Sequence, residues 1–174
     1  MGEVLHRLLQ AIRFQRDAFV WMDLNDRATG DALILVAVTE VVLLIGLGAS
    51  VLGLVFGLPS VIGAILQALI QWLVVAAVAY GAARYLFNGE GAYATYLRIV
   101  GFAFPTLVLW LFTWRIIDNG ELALLVGAAW FLAVVAYGIH FIADLDLTKS
   151  GTAALLGYVG WRILSAIFSG GFLF

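Results

Sequence analysis

Cysteine is missing from the chain, which excludes a disulfide framework, a thiolate metal site and a cysteine nucleophile, and removes any mark of redox compartment. Charge is scarce as well. Asp, Glu, Lys and Arg make up 11% of the 174 residues, where soluble domains carry about 25%. A net charge of −2 gives no electrostatic case for nucleic acid, which is not expected as a partner. The sequence also lacks a G-x-S-x-G elbow, a P-loop and an H-E-x-x-H pattern, and Gly89-Glu90-Gly91 sits in a loop rather than after a strand. Neither catalysis, a cofactor nor a metal is therefore expected. What fills the chain instead is hydrocarbon, with 64% of residues hydrophobic. One domain of this length cannot bury so much apolar surface in a core sealed from water, so lipid is the expected solvent.

A spanning helix needs about 20 mainly apolar residues. Five such segments fall between the places where charge and turn residues gather, at about 33–54, 60–84, 99–117, 121–143 and 150–171. Ser60 is expected to cap the second and Ser150-Gly151-Thr152 the fifth, with Asp118-Asn119-Gly120 as the turn between the third and fourth. Strict alternation, the mark of a membrane barrel, is not found. The expected fold is all-α, an integral bundle of five transmembrane helices over 31–174 preceded by a cytoplasmic segment, 1–30. Lys and Arg collect at cytoplasmic span ends. Arg7, Arg13, Arg16, Arg27, Arg84, Arg98 and Lys149 fall on one side of this layout, Arg115 alone on the other, and Arg162 within a span. The expectation is a multi-pass protein of the cell (inner or plasma) membrane with its N-terminus cytoplasmic and its C-terminus external.

Residues 1–30 do not read as a signal peptide, because charges interrupt every apolar stretch. On a helical wheel Val4, Leu5, Leu8, Leu9, Ile12, Phe19 and Met22 cover one half, while Glu3, His6, Arg7, Gln10, Arg13, Arg16 and Asp17 cover the other. An amphipathic helix in the cytoplasmic interface is expected, with Trp21 near the headgroups. It either senses membrane or docks a partner, or it packs across the inner rim of the bundle.

An ionisable group within lipid is costly and is a functional hypothesis by default. Glu40 in the first span and Arg162 in the fifth lie at depths within ~5 Å of each other, at ~1.5 Å of rise per residue. They are candidates for an interhelical ion pair, for a proton- or ion-responsive site, or for contact with a partner or a lipid headgroup. Gln67 and Gln71 share one face of the second span and could line a pore or bond to neighbouring helices. His140 and Asp144 share a face near the end of the fourth, as a hydrated interfacial cluster or a proton-handling site. Small residues four apart, Ala49, Gly53 and Gly57 with Gly46 and Ser50 beside them, and Ala153 with Gly157, suit close helix approach within the bundle or a homodimer.

The most distinctive stretch runs from Gly81-Ala82-Ala83-Arg84-Tyr85-Leu86-Phe87-Asn88-Gly89-Glu90-Gly91-Ala92-Tyr93 to Tyr96-Leu97-Arg98-Ile99-Val100-Gly101-Phe102-Ala103-Phe104-Pro105. It resembles the Yip (Ypt-interacting protein) domain family, in which a span ends in small and aromatic residues, a Gly-containing cytoplasmic loop follows, and the next helix opens with a Gly-aromatic pair and then Pro. Gly89, Gly91 and Tyr93 match the loop; Gly101-Phe102 stands where Gly-Tyr is usual; Pro105 matches the Pro. Phe14-Gln15-Arg16-Asp17-Ala18-Phe19 looks like the juxtamembrane helix of short, prokaryotic-type members, though the Pro common there is absent. The resemblance implies five spans, a cytoplasmic N-terminus and, in eukaryotic members, trafficking roles through small GTPases. The sequence departs from those members in lacking the long acidic region that precedes their spans, and whether small GTPases are bound is not read from it. The expected function is non-enzymatic, through membrane lipids and a membrane-protein partner or homo-oligomer. The alternative is a small proton- or ion-coupled transporter or channel component using Glu40 and Arg162.

Overall fold

The computed structural model describes residues 2–48, 57–117 and 120–169. Every regular element among them is helical. Two short helices, α1 (Gly2–Ile12) and α2 (Arg16–Leu24), precede α3 (Ala28–Gly46), α4 (Leu58–Gly81), α5 (Tyr93–Ala103), α6 (Leu109–Ile116), α7 (Gly120–Ala143) and α8 (Leu147–Ser169). A π-helical turn, Ala82–Leu86, extends α4, and a 3-10 turn, Phe104–Val108, joins α5 to α6. Pro105 explains that junction, since it has no N–H to donate and its ring crowds the preceding turn. Thr106 takes up part of the loss by donating to the Ala103 carbonyl at 2.6 Å.

The packing is inside-out by the standard of a water-soluble protein. Alanines fill the interior, among them Ala28, Ala32, Ala76, Ala79, Ala103 and Ala154, while Leu33, Ile34, Val38, Ile62, Leu66 and Ile70 face outward. Aliphatic side chains outside, and alanines among buried aromatics such as Phe19, Tyr96 and Phe131 inside, suit a lipid solvent, where small residues let helices approach closely. Among the described residues, four stretches are long and apolar enough to cross a membrane: Ala28–Gly46, Leu58–Leu86, Tyr93–Trp114 and Leu125–Ala143. α4 packs on α3 and on α8, α8 also on α7, and α5 on both α3 and α4. Gly157 of α8 meets α4 so closely that an added Cβ would stand 2.7 Å from the Val75 carbonyl oxygen. Ala153 is fully buried on the same face. Ala49, Ser50 and Gly53 lie outside the described residues, as do Asp118, Asn119 and 170–174.

Several boundaries differ from the sequence reading. The amphipathic segment is two helices rather than one, because Phe14 adopts a left-handed backbone at φ 59 and Gln15 N–H closes back onto the Gln10 carbonyl at 2.9 Å. The Phe14 ring offsets that strain by packing 5.2 Å from Tyr137 and 5.5 Å from Trp130. α4 starts at Leu58 with Gly57, not Ser60, at its cap and Pro59 in its first turn, where a missing N–H costs nothing. α8 starts at Leu147, and its cap is Asp146, whose carboxylate accepts the Lys149 N–H at 2.9 Å. A carboxylate beats Ser150 there because it also faces the positive end of the helix dipole.

Candidate functional site

The ends of α2, α4 and α7 and the starts of α3, α5 and α8 gather at one end of the bundle, and α1 packs beside them. The bonds that prove it centre on Arg98. Its side chain is 5% exposed and makes four hydrogen bonds with the α2–α3 elbow. Nη1 donates to the carbonyls of Met22 at 2.8 Å and Asp23 at 3.1 Å, Nε to Thr29 Oγ1 at 2.8 Å, and Nη2 to Asp26 Oδ1 at 2.7 Å. One turn earlier on α5, Thr95 Oγ1 donates to Asp23 Oδ1 at 2.7 Å. Four of the five guanidinium N–H groups are thus spent on one elbow. The carbonyl bonds matter more than the ion pair, because the Asp26 side chain is fully exposed and an ion pair open to water is worth about 0–1 kcal/mol.

A second set of bonds fixes the loop after α4. Gly89 N–H donates to the Ala83 carbonyl at 2.8 Å, Arg84 Nη1 to the Gly89 carbonyl at 3.1 Å, and Tyr96 Oη to the Glu90 carbonyl at 3.2 Å. Glu90 N–H then donates to the Ala143 carbonyl at 3.1 Å, capping the end of α7. The His140 ring, which shared a predicted face with Asp144, donates from Nδ1 to the Leu145 carbonyl at 2.5 Å. Asp144 lies past the helix end at φ 51 and is exposed, and among the described residues no hydrogen bond joins it to His140. Gly91 at φ +99 holds a conformation that a side chain would strain, and a Cβ on Gly89 would stand 2.9 Å from Leu145. Tyr93 packs edge-on to Tyr80 at 5.8 Å and makes a long bond, 3.4 Å, to the Leu73 carbonyl.

Gly101 is the crossing point of α3, α4 and α5. A Cβ there would stand 2.5 Å from Ala32 Cβ and 3.1 Å from Trp72 Nε1, which itself donates to the Leu97 carbonyl at 2.7 Å. Phe102 is fully buried, edge-on to Trp21 at 5.9 Å. Trp21 carries the Arg7 guanidinium over its ring at 5.5 Å. The residues singled out by the distinctive stretch, 81–105, are therefore those that join α4, α5 and α7 to the N-terminal helices.

The Yip1 domain model matches residues 10–170. The chain belongs to the Yip1-domain family. No curated protein and no solved structure matches it. Membership and the apolar helices together make this a multi-pass Yip1-domain membrane protein, of a family not known for catalysis.

The intramembrane polar residues are placed differently from the sequence reading. Glu40 and Arg162 do not bond to each other; the ion pairs among the described residues are Arg98–Asp26 and Lys149–Asp146. Equal depth was not enough, because α4 packs against both α3 and α8 and keeps those two helices apart. Gln67 is exposed, whereas Gln71 and Arg162 line a common cavity that Glu40 does not reach. Arg98 was read from sequence only as a charge flanking a span. Its signal was Thr95, Arg98 and Phe102 on one helix face, with Asp23 and Asp26 waiting in the linker that precedes α3.

Proposed function

We propose that this Yip1-domain protein is a non-enzymatic, five-span protein of the cell membrane that acts through lipid and protein contacts made at its cytoplasmic end. The supporting observation is the Arg98 clamp, which fixes α2 to α5 and makes the N-terminal helices part of the bundle rather than a free tail. On that fixed collar Leu5, Leu9 and Leu24 stay exposed among Arg7, Arg13, Arg16 and Arg27. Exposed apolar side chains among arginines and carboxylates suit a membrane surface, or a membrane-protein partner or second copy approaching along it.

α8 supplies the fifth span in this reading. Its inner face is buried on α4 and α7 through Ala153, Ala154 and Trp161, and its outer face presents Leu155, Leu156, Val159, Ile163 and Ile167. A helix apolar on both sides has lipid as its natural second neighbour. The cationic residues at the collar end set that end in the cytoplasm and the C-terminus outside. Nothing favours the transport reading, since Glu40 neither pairs with Arg162 nor shares its cavity.

The test is photo-cross-linking in native membranes from positions Leu5, Leu9 and Leu24, with Ile167 as the control in the outer face of α8. Collar positions are expected to give discrete lipid or protein adducts that Arg98→Ala reduces several-fold while the control is unchanged. Proton or ion flux in proteoliposomes, abolished by Glu40→Gln, would overturn the proposal.

A further inference from the structure

Between the middle of the bundle and the end opposite the collar lies a cavity of about 200 Å³, lined from α3, α4, the 3-10 turn, α6, α7 and α8. Five of its lining residues carry polar groups: Gln71, Trp110, Tyr158, Trp161 and Arg162. Trp110 Nε1 is buried and has no hydrogen-bond partner. The Arg162 guanidinium is in no ion pair, and no side-chain bond of Gln71 or Tyr158 is made among the described residues. No carboxylate lines the space. A buried N–H left without a partner costs about as much as the hydrogen bond it lacks, and a guanidinium in a spanning helix costs more. Three elements, α4, α6 and α8, bring these donors together around the buried Trp110 N–H, with Arg162 itself exposed at the edge of the space.

We propose that this cavity is an oxyanion site for a phosphate group, with Arg162 as the charge that holds it and Trp110 Nε1–H as a fixed second donor. The donor inventory fits: the guanidinium has five N–H groups in a planar fork suited to two phosphate oxygens, and the two indoles, the amide and the phenol add five more. The volume fits as well, since a space of about 200 Å³ has room for a phosphate group. Arg162 lies seven residues before the end of α8 at Ser169, a rise of ~10 Å at ~1.5 Å per residue, so a long side chain there reaches the headgroup zone. The phosphate can come from a phospholipid headgroup or from a soluble phosphate ester. The site stands independently of the collar.

The test uses the full chain in detergent micelles with ¹⁵N-labelled tryptophan, the Trp110 indole resonance being assigned by its loss in Trp110→Phe. The probes are dioleoylphosphatidylglycerol, dioleoylglycerol, which has no phosphate, and glycerol phosphate. A Trp110 indole shift with phosphatidylglycerol but not with dioleoylglycerol is expected, weakened about tenfold or more in Arg162→Gln and less in Arg162→Lys. The same shift with glycerol phosphate supports the site and makes the source soluble; a shift with the lipid alone supports it and makes the source the membrane. Should Arg162→Gln not fold, phosphatidylglycerol retained in native mass spectrometry is expected to fall several-fold in Trp110→Phe. The proposal is overturned if neither phosphate probe moves the Trp110 resonance, if dioleoylglycerol moves it equally, or if the variants bind like the parent.

Discussion

Arg98 carries more of the structure than any other single side chain, because its bonds reach 69 to 76 residues back along the chain. Removing it leaves two carbonyls and a hydroxyl unpaired in the elbow, where each bond to a charged group is worth about 1.5–3 kcal/mol. Not all of that is lost, since water reaches Asp26. Arg98→Ala is expected to destabilise the protein by about 2–4 kcal/mol, and Arg98→Lys by somewhat less, because an ammonium cannot address four acceptors in one plane; thermal melts in detergent check both. Gly101→Ala is expected to cost about 1–3 kcal/mol by forcing Ala32 and Trp72 apart. Gly30→Ala has open space around it and is expected to be neutral or to stabilise by up to about 1 kcal/mol. Gly101 was legible as a matched position of the family resemblance, though not as a helix crossing. Arg98 was not, because its partners are backbone carbonyls that no side-chain pattern announces.

For individual helices, the apolar runs were legible and their ends were not. Lipid-facing and core-facing residues are both apolar, so periodicity gives no sharp boundary, and single residues such as Phe14 and Asp146 decide instead. Phe14 holds the α1–α2 turn by its ring while its backbone would suit glycine. Phe14→Gly relieves the backbone but removes the ring, so α1 is expected to lose amide-exchange protection while α4 and α8 keep theirs. Asp146 gives a pH-dependent end to α8. The Lys149 N–H bonded to its carboxylate lowers its pKa below the ordinary value, and the Lys149 ammonium at 3.3 Å adds to that. A carboxyl depressed in the folded state stabilises it above the unfolded value, about 3.9, and that gain disappears as the pH falls through the lowered folded value. Protection of the Lys149 and Ser150 amides is therefore expected to drop below about pH 4, and to be pH-independent in Asp146→Ala.

Taken together, the helices form a bundle whose outside is as apolar as its inside and whose charge is concentrated at one end. Composition was enough to read that much, since 11% charge leaves only span ends and one N-terminal segment to carry it. That Glu40 and Arg162 stand apart was not readable, because depth along a helix says nothing about which helix stands between. The five-span arrangement with its collar in the cytoplasm is the claim on which the rest depends, and the absence of cysteine makes it directly testable. Single cysteines at Asn88 and Ser60, together with a tag appended after Phe174, are probed with a membrane-impermeant maleimide and a protease in intact and permeabilised cells. Labelling of Ser60→Cys and loss of the tag in intact cells, with Asn88→Cys labelled only after permeabilisation, is the predicted result. Labelling of Asn88→Cys in intact cells, or a tag protected until the cells are opened, would contradict it.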